Sequence, residues 1–424
     1  MNNGEHVHMK IFSNTLCMIT GLLLVASTCY AAESYESSVT LNAAKLLPPE
    51  LLKGPHHQVD DTVTNDGYLN TYMIHSEFGD IQVTSTAKLK KYIREIAAVA
   101  EMKKIQGSDE FKQGFTDKMG DVVEGAESLI TDPVGTVSST VSGVGKLFSR
   151  AGENLLGGSR SKAEGSRMAS LLGYEKAKRD IGYKFGVDVY TDNKILQDEL
   201  NNLSGSSGTG TLVMSGLLMA VPGGAGIAVS VTGGTELMEN VMHDKAPADL
   251  RKMNREKLAA MGVSQDIADV FIANGIYTPR EQTYLVASLS DMQNTTGRSE
   301  FIKFATLTDN ADIAFFRQRQ AQMYKAYDQG IEPIDSFVTI GGLTTARTKS
   351  NKIVFNVPLD YMLWTKNLEA VANTITQQVS LMEGISGKEI LVAGSMSPLA
   401  KKSIENLGWK VHEMTEKKLS LPAF

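Results

Sequence analysis

A mixed α+β fold with a helical majority is what this sequence predicts, on three observations. A period-two hydrophobic alternation around a Phe78-Gly79-Asp80 turn spans Tyr68–Val83, the mark of a β-hairpin. Apolar residues then recur at three- and four-residue steps through most of the middle of the chain, as amphipathic helices require. Beyond residue 336, short aliphatic runs alternate with helical stretches, the pattern of a small parallel layer. The expected arrangement is an N-terminal β-hairpin plus helix, a central helical region and a C-terminal βαβαβ-like α/β layer. Its boundaries fall at 1–31 (a targeting segment), 32–66 (a polar lead-in), 67–336 (mainly helical, with an uncharged Gly-rich segment at 200–235) and 337–424 (the α/β portion).

The first segment reads as an export signal. Lys10 supplies positive charge, Leu16–Val25 is an apolar core, and Cys29-Tyr30-Ala31 sets small side chains three and one residues before a cut after Ala31. Met9-Lys10 would open a signal of ordinary shape. An uncleaved anchor is the first alternative, although the run is shorter than the ~20 apolar residues of a spanning helix. Acylation at Cys29 is the second, against a poor preceding triplet, Ala26-Ser27-Thr28. Cys17 and Cys29 are the only cysteines and both lie in this segment, so the remainder must be held by its core and not by disulfides. The net charge of −6 offers no basic field for nucleic acid.

The polar, Pro-punctuated residues 32–66 suggest a loosely held lead-in. After the hairpin, Ser85 or Thr86 caps a helix over 87–105, whose apolar positions include Leu89, Tyr92, Ile93, Ile96 and Val99. Between Asp132-Pro133 and residue 156, Val137, Val141, Val144, Phe148 and Leu155 form a narrow stripe that needs a surface to dock on. A charged helix in 160–185 and a short one at 193–203 follow. Asp188, Asp192 and Asn193 lack the glycine and glutamate of an EF-hand loop, so Asp192/Asn193 reads as a helix cap. Residues 200–235 carry no charge, and 212–231 is broken by Pro222-Gly223-Gly224 into two pieces too short to span a bilayer singly. That segment reads as a buried core element, with a membrane-inserting hairpin or a transmembrane helix as alternatives. Residues 246–330 form antiparallel helices with short loops. Strands at 337–342, 352–359, 389–394 and 409–414, with helices at 367–383 and 397–408, make up the final layer, whose sheet the N-terminal hairpin could join.

Ser395, Met396 and Ser397 stand between a strand end and a helix start, where free backbone N–H groups attract anions; they are the candidate ligand-binding residues, with Ser397 as the helix cap. Asp360, Tyr361 and Trp364 gather where another strand ends. His56-His57 with Asp60-Asp61 matches no zinc spacing, so neither a metal nor a cofactor is expected. No P-loop, dinucleotide fingerprint or catalytic signature occurs.

The segments LLGYEKAKRDIGYKFGVDVYTDNKILQDELN, GIYTPREQTYLVASL, KIVFNVPLDYMLWT and AGSMSPLAKKSIENLGWKVHE together resemble a family of exported bacterial proteins of unknown function. The resemblance implies one architecture over most of the chain and transfers no site residue. The sequence therefore implies a periplasmic protein that works by binding or structural interaction with an envelope partner. A membrane-active protein using 134–156 and 212–231 is the alternative, and an enzyme with its site at the Ser395 turn a second.

Overall fold

The computed structural model describes residues 35–106, 162–205, 233–419 and 421. The stretches 134–156 and 212–231 and the expected export signal at 1–31 lie outside them. Contacts divide the chain into Met1–Ser37 and Ser38–Phe424, and every element below belongs to the second unit. Helix predominates over strand, in the mixed α+β arrangement expected. Among the described residues no helix is long and apolar enough to cross a membrane.

The N-terminal elements are β1 (Val39–Asn42), α1 (Ala43–Leu46), α2 (Pro49–Leu52), β2 (Lys53–Gly54), β3 (His57–Val59), β4 (Thr62–Asn65), β5 (Asn70–Ser76), β6 (Gly79–Thr84) and α3 (Thr86–Gln106). The expected hairpin is β5–β6, paired in register from Thr71 with Thr84 to Ser76 with Gly79. It does not join the C-terminal sheet. Residues 32–66, expected as a loose lead-in, instead supply four strands, β1–β4, which flank β5 in the order β1-β4-β5-β3-β2. Their runs of two to four residues are too short for alternation to be recognised. Val59, Val63, Tyr72, Ile74 and Val83 bury one face of this sheet against Leu89, Ile93 and Ile96 of α3.

The helices α4 (Lys162–Phe185), α5 (Lys194–Gly205) and α6 (Gly233–Asp244) follow. Ala98, Val99 and Met102 of α3 pack with Ile181, Leu196, Leu200 and Leu203 in a second core. Tyr174 meets Asn201 at 2.8 Å and Lys178 meets Gln197 at 2.7 Å, so α4 and α5 run antiparallel. Glu95 meets Asn193 at 3.0 Å and Lys103 meets Glu199 at 2.9 Å, so α3 runs alongside α5 in the same direction. The predicted bundle is α7 (Pro247–Ala260), α8 (Gln265–Ala273), α9 (Pro279–Asp291), α10 (Arg298–Ala305) and α11 (Ala311–Gly330). Thr278 and Glu281 close a reciprocal capping box at the start of α9.

The last layer is β7 (Ile334–Ile340), β8 (Leu343–Thr348), β9 (Lys352–Val357), β10 (Tyr361–Met362), α12 (Lys366–Ser380), β11 (Gly387–Val392), β12 (Ser395–Met396), α13 (Pro398–Asn406), β13 (Lys410–His412) and α14 (Thr415–Lys418). Strand β8 is missing from the sequence reading. Gly341 and Gly342, at φ +60° and +77°, make a tight hairpin turn where the aliphatic run had suggested a continuing strand. The order is β13-β11-β9-β8-β7, with β9, β11 and β13 parallel as expected. Val354 and Leu391 face the bundle with Phe301, Tyr324 and Phe337, while Phe355 meets Trp409 at 5.6 Å. Both faces being covered explains the nearly unbroken apolar run of β9.

Candidate functional site

The carboxyl ends of the parallel strands, where the sequence placed an anion, hold protein instead. The N–H of Ser395 donates to Asp360 O at 3.0 Å and that of Ser397 to Met362 O at 2.9 Å. The N–H of Met396 donates to the Glu413 carboxylate at 2.7 Å. An anion does occupy this turn, but it is the chain's own Glu413, which leaves none of the three amides for a ligand. Ser397 keeps the capping role, its Oγ accepting from Ala400 N at 3.0 Å. The approach is tight enough that a Cβ on Gly394 would lie 1.9 Å from Asp360 O.

Asp360 and Ser395 meet only through the backbone, because the Asp360 side chain reaches into the N-terminal portion. Its Oδ2 accepts from Asn70 N at 2.9 Å, and Thr86 N donates to Oδ1 at 3.0 Å. Ser85, at φ +82°, caps the same helix start through Oγ, which accepts from Lys88 N at 3.2 Å. Helix α3 thus begins on a carboxylate from the far end of the chain. Burial pushes the Asp360 carboxyl up to about 6, against the pull of the two N–H donors.

Around α3 the structure assembles a charged cluster that the sequence reading missed. Lys88, Lys91, Tyr92 and Glu95 fall on one helix face and meet the turn 186–193. Lys88 Nζ contacts Asp192 at 2.7 Å and Asp312 at 3.1 Å, and Tyr92 donates its hydroxyl to Asp192. Lys91 Nζ meets Asp188 at 2.8 Å. Asn193, not Asp192, caps α5, with its Oδ1 accepting from Ile195 N at 3.1 Å. From the bundle side Arg280 forks onto Glu239, one arm at 3.0 Å, and its guanidinium lies 4.5 Å from the Tyr284 ring centre. The Tyr284 hydroxyl completes the group by donating to Glu239 at 2.6 Å.

Of this cluster, Lys91, Glu95, Asp188, Glu239 and Arg280 line a cavity of about 20 Å³ where α3, the 186–188 turn, α6, α9 and α11 come together. Such a space holds one water-sized group. Four carboxyl groups, on Glu95, Asp188, Glu239 and Glu281, line it against three cations, on Lys91, Arg94 and Arg280. Burial disfavours every charge here, and the pairing decides the outcome. Burial raises Asp188, but Lys91 and Arg280 outweigh it and hold the carboxyl below its ordinary range. Glu239 is likewise held low by Arg280 against its burial. Glu95 and Glu281 behave differently. Burial pushes Glu95 up to about 7, only partly countered by Lys91. Glu281 also rises to about 7 by burial, against the Thr278 N–H that it accepts at 2.8 Å.

Glu95 is the informative side chain. It is 1% exposed; its Oε2 accepts from Thr191 Oγ1 at 3.1 Å and Asn193 Nδ2 at 3.0 Å. Its Oε1 accepts no hydrogen bond, and Lys91 Nζ stands 3.9 Å away. Charged residues recurring at 88, 91 and 95 beside Tyr92 were the available signal, since a charged stripe next to an aromatic on a helix with a full apolar face requires buried partners.

The histidines near the N-terminus make ordinary pairs, His56 with Glu77 at 2.6 Å and His75 with Asp60 at 2.9 Å. Among the described residues no group of three His, Cys, Asp or Glu could hold a metal ion. No known protein family, curated protein or solved structure matches the chain. The fold and site define a mixed α+β chain built around a buried, charge-lined junction.

Proposed function

We propose that this chain is an exported cell-envelope protein that acts by binding, and that its charged junction takes a small cationic group at the Glu95 carboxylate. The observation that carries the binding site is the fully buried Glu95 Oε1, which accepts no hydrogen bond and has Lys91 Nζ only at 3.9 Å, in a cavity lined by four carboxyl groups and three cationic side chains. A buried polar atom without a partner is unfavourable, and either a proton or a cation relieves it. The cavity volume matches an ammonium ion or the head of a primary amine. Export is supported by Lys10, the apolar run Leu16–Val25 and the small residues before Ala32.

Thermal unfolding of the purified protein at pH 8 and constant ionic strength tests the site. Ammonium at ~100 mM, against an equal concentration of tetramethylammonium, should raise the midpoint by about 1–3 °C, as expected for millimolar affinity. The Glu95→Gln variant should lose that difference. Equal midpoints in the two salts would remove the cation from the account.

A membrane-active chain is the second reading, favoured by one observation. Residues 212–231 carry no charge and are together long enough to cross a bilayer, although Pro222-Gly223-Gly224 divides them. Cell fractionation with N-terminal sequencing separates the readings. A soluble chain beginning near Ala32 supports the first, and recovery in the membrane pellet supports the second.

A further inference from the structure

A second cavity, of about 50 Å³, lies between the C-terminal turn of α11, strands β11 and β13 and helix α14. Its apolar wall is Ile331, Leu391 and Leu419, and its polar groups include Tyr327, Glu389 and His412. Tyr327 is 0% exposed, yet its hydroxyl has no hydrogen-bond partner among the described residues. The neighbouring charges are already satisfied. His412 Nε2 meets Glu389 Oε2 at 3.1 Å, and Lys352 Nζ meets Glu389 Oε1 at 3.3 Å and Glu332 at 2.9 Å. Ile331, about half exposed, stands at the mouth.

The geometry points to a binding site for a small neutral molecule, or end group, that carries one oxygen on a short apolar body: an alcohol or carbonyl of a few heavy atoms. The size follows from the volume, since about 10–15 Å³ admits one water and about 150 Å³ admits benzene. Neutrality follows from the pairing, because Glu389 is spanned by His412 and Lys352, and the other charged side chain of the lining, Lys418, is exposed to water. The oxygen follows from Tyr327, whose buried phenol can donate to a lone pair and has no other acceptor. Burial pushes that phenol up to about 12, so it stays a donor throughout the physiological range.

The test is a titration of the purified full chain with 2-propanol, followed by the NMR signals of the His412 imidazole. A saturable shift is expected in the wild type. In Tyr327→Phe the affinity should fall about three- to tenfold, as one hydrogen bond is worth. The unfolding midpoint of that variant should be unchanged or higher, because the hydroxyl removed had no partner. Ile331→Trp, which narrows the mouth without touching Tyr327, should weaken the same titration. A shift that never saturates, equal affinity in wild type and Tyr327→Phe, or a Tyr327→Phe variant that loses stability would each overturn the assignment.

Discussion

Lys91→Ala will destabilise the fold by about 3 kcal/mol, because it strands the Asp188 carboxylate in the interior with only Arg280 to answer it. Lys91 is 11% and Asp188 6% exposed at the side chain, so water does little to screen the loss. The pairing also sets a pH signature. Asp188 is held below its ordinary value in the fold, so its contribution is present at neutral pH and fades as pH falls through that lowered value. Lys91→Ala should shrink that acid-side loss. The double variant Lys91→Met with Asp188→Leu should recover most of the stability, since replacing both buried charges removes the desolvation that the pair must offset. Urea unfolding at pH 7 measures all three. A loss below about 1 kcal/mol for Lys91→Ala would mean that the pair is solvated and holds nothing together.

Asp360→Ala should cost about 2–4 kcal/mol, since the N–H groups of Asn70 and Thr86 then lose their acceptor in a part-buried setting. Asp360→Asn keeps one acceptor oxygen and should cost less. The sign of the pH effect here is opposite to that of Asp188. The folded state raises Asp360 from 3.8 to about 6, so it binds the proton more tightly than the unfolded chain does. Its contribution is fully present below about 4 and is lost as pH rises through 6. Wild type should therefore be more stable relative to Asp360→Asn at pH 4 than at pH 7. A difference that is flat across this range would place the carboxyl in water, contrary to the helix-capping geometry.

What the sequence revealed follows from where periodicity is written. The hairpin β5–β6, helix α3, the bundle α7–α11 and the parallel order β9-β11-β13 all rest on repeats long enough to be read. Strands β1–β4 are too short to show alternation, and β8 was hidden because Gly341-Gly342 was read as part of a strand when it is the turn. At the Ser395 turn the amides that the sequence offers to an anion are bonded within the chain. A helix start at strand ends attracts a carboxylate, and Glu413, 17 residues away in sequence, provides it. Asp360 illustrates the same limit more strongly. It was singled out as a residue where a sheet ends, but its partners lie 274 and 290 residues earlier, and no spacing rule connects them. The charged junction was half legible: the stripe at 88, 91 and 95 was visible, whereas Asp188, Glu239 and Arg280 converge on it from three separate elements.

Inside the junction Glu95 has a buried carboxylate oxygen that no hydrogen bond and only a distant Lys91 answers. The most direct test of a cation site there is the titration of the Glu95 carboxyl, followed by carbon-13 NMR and assigned with Glu95→Gln, with and without ammonium. A midpoint near 7 is expected in tetramethylammonium, moved downward by ammonium as the cation competes with the proton. A midpoint at the ordinary glutamate value, unmoved by ammonium, would contradict that site.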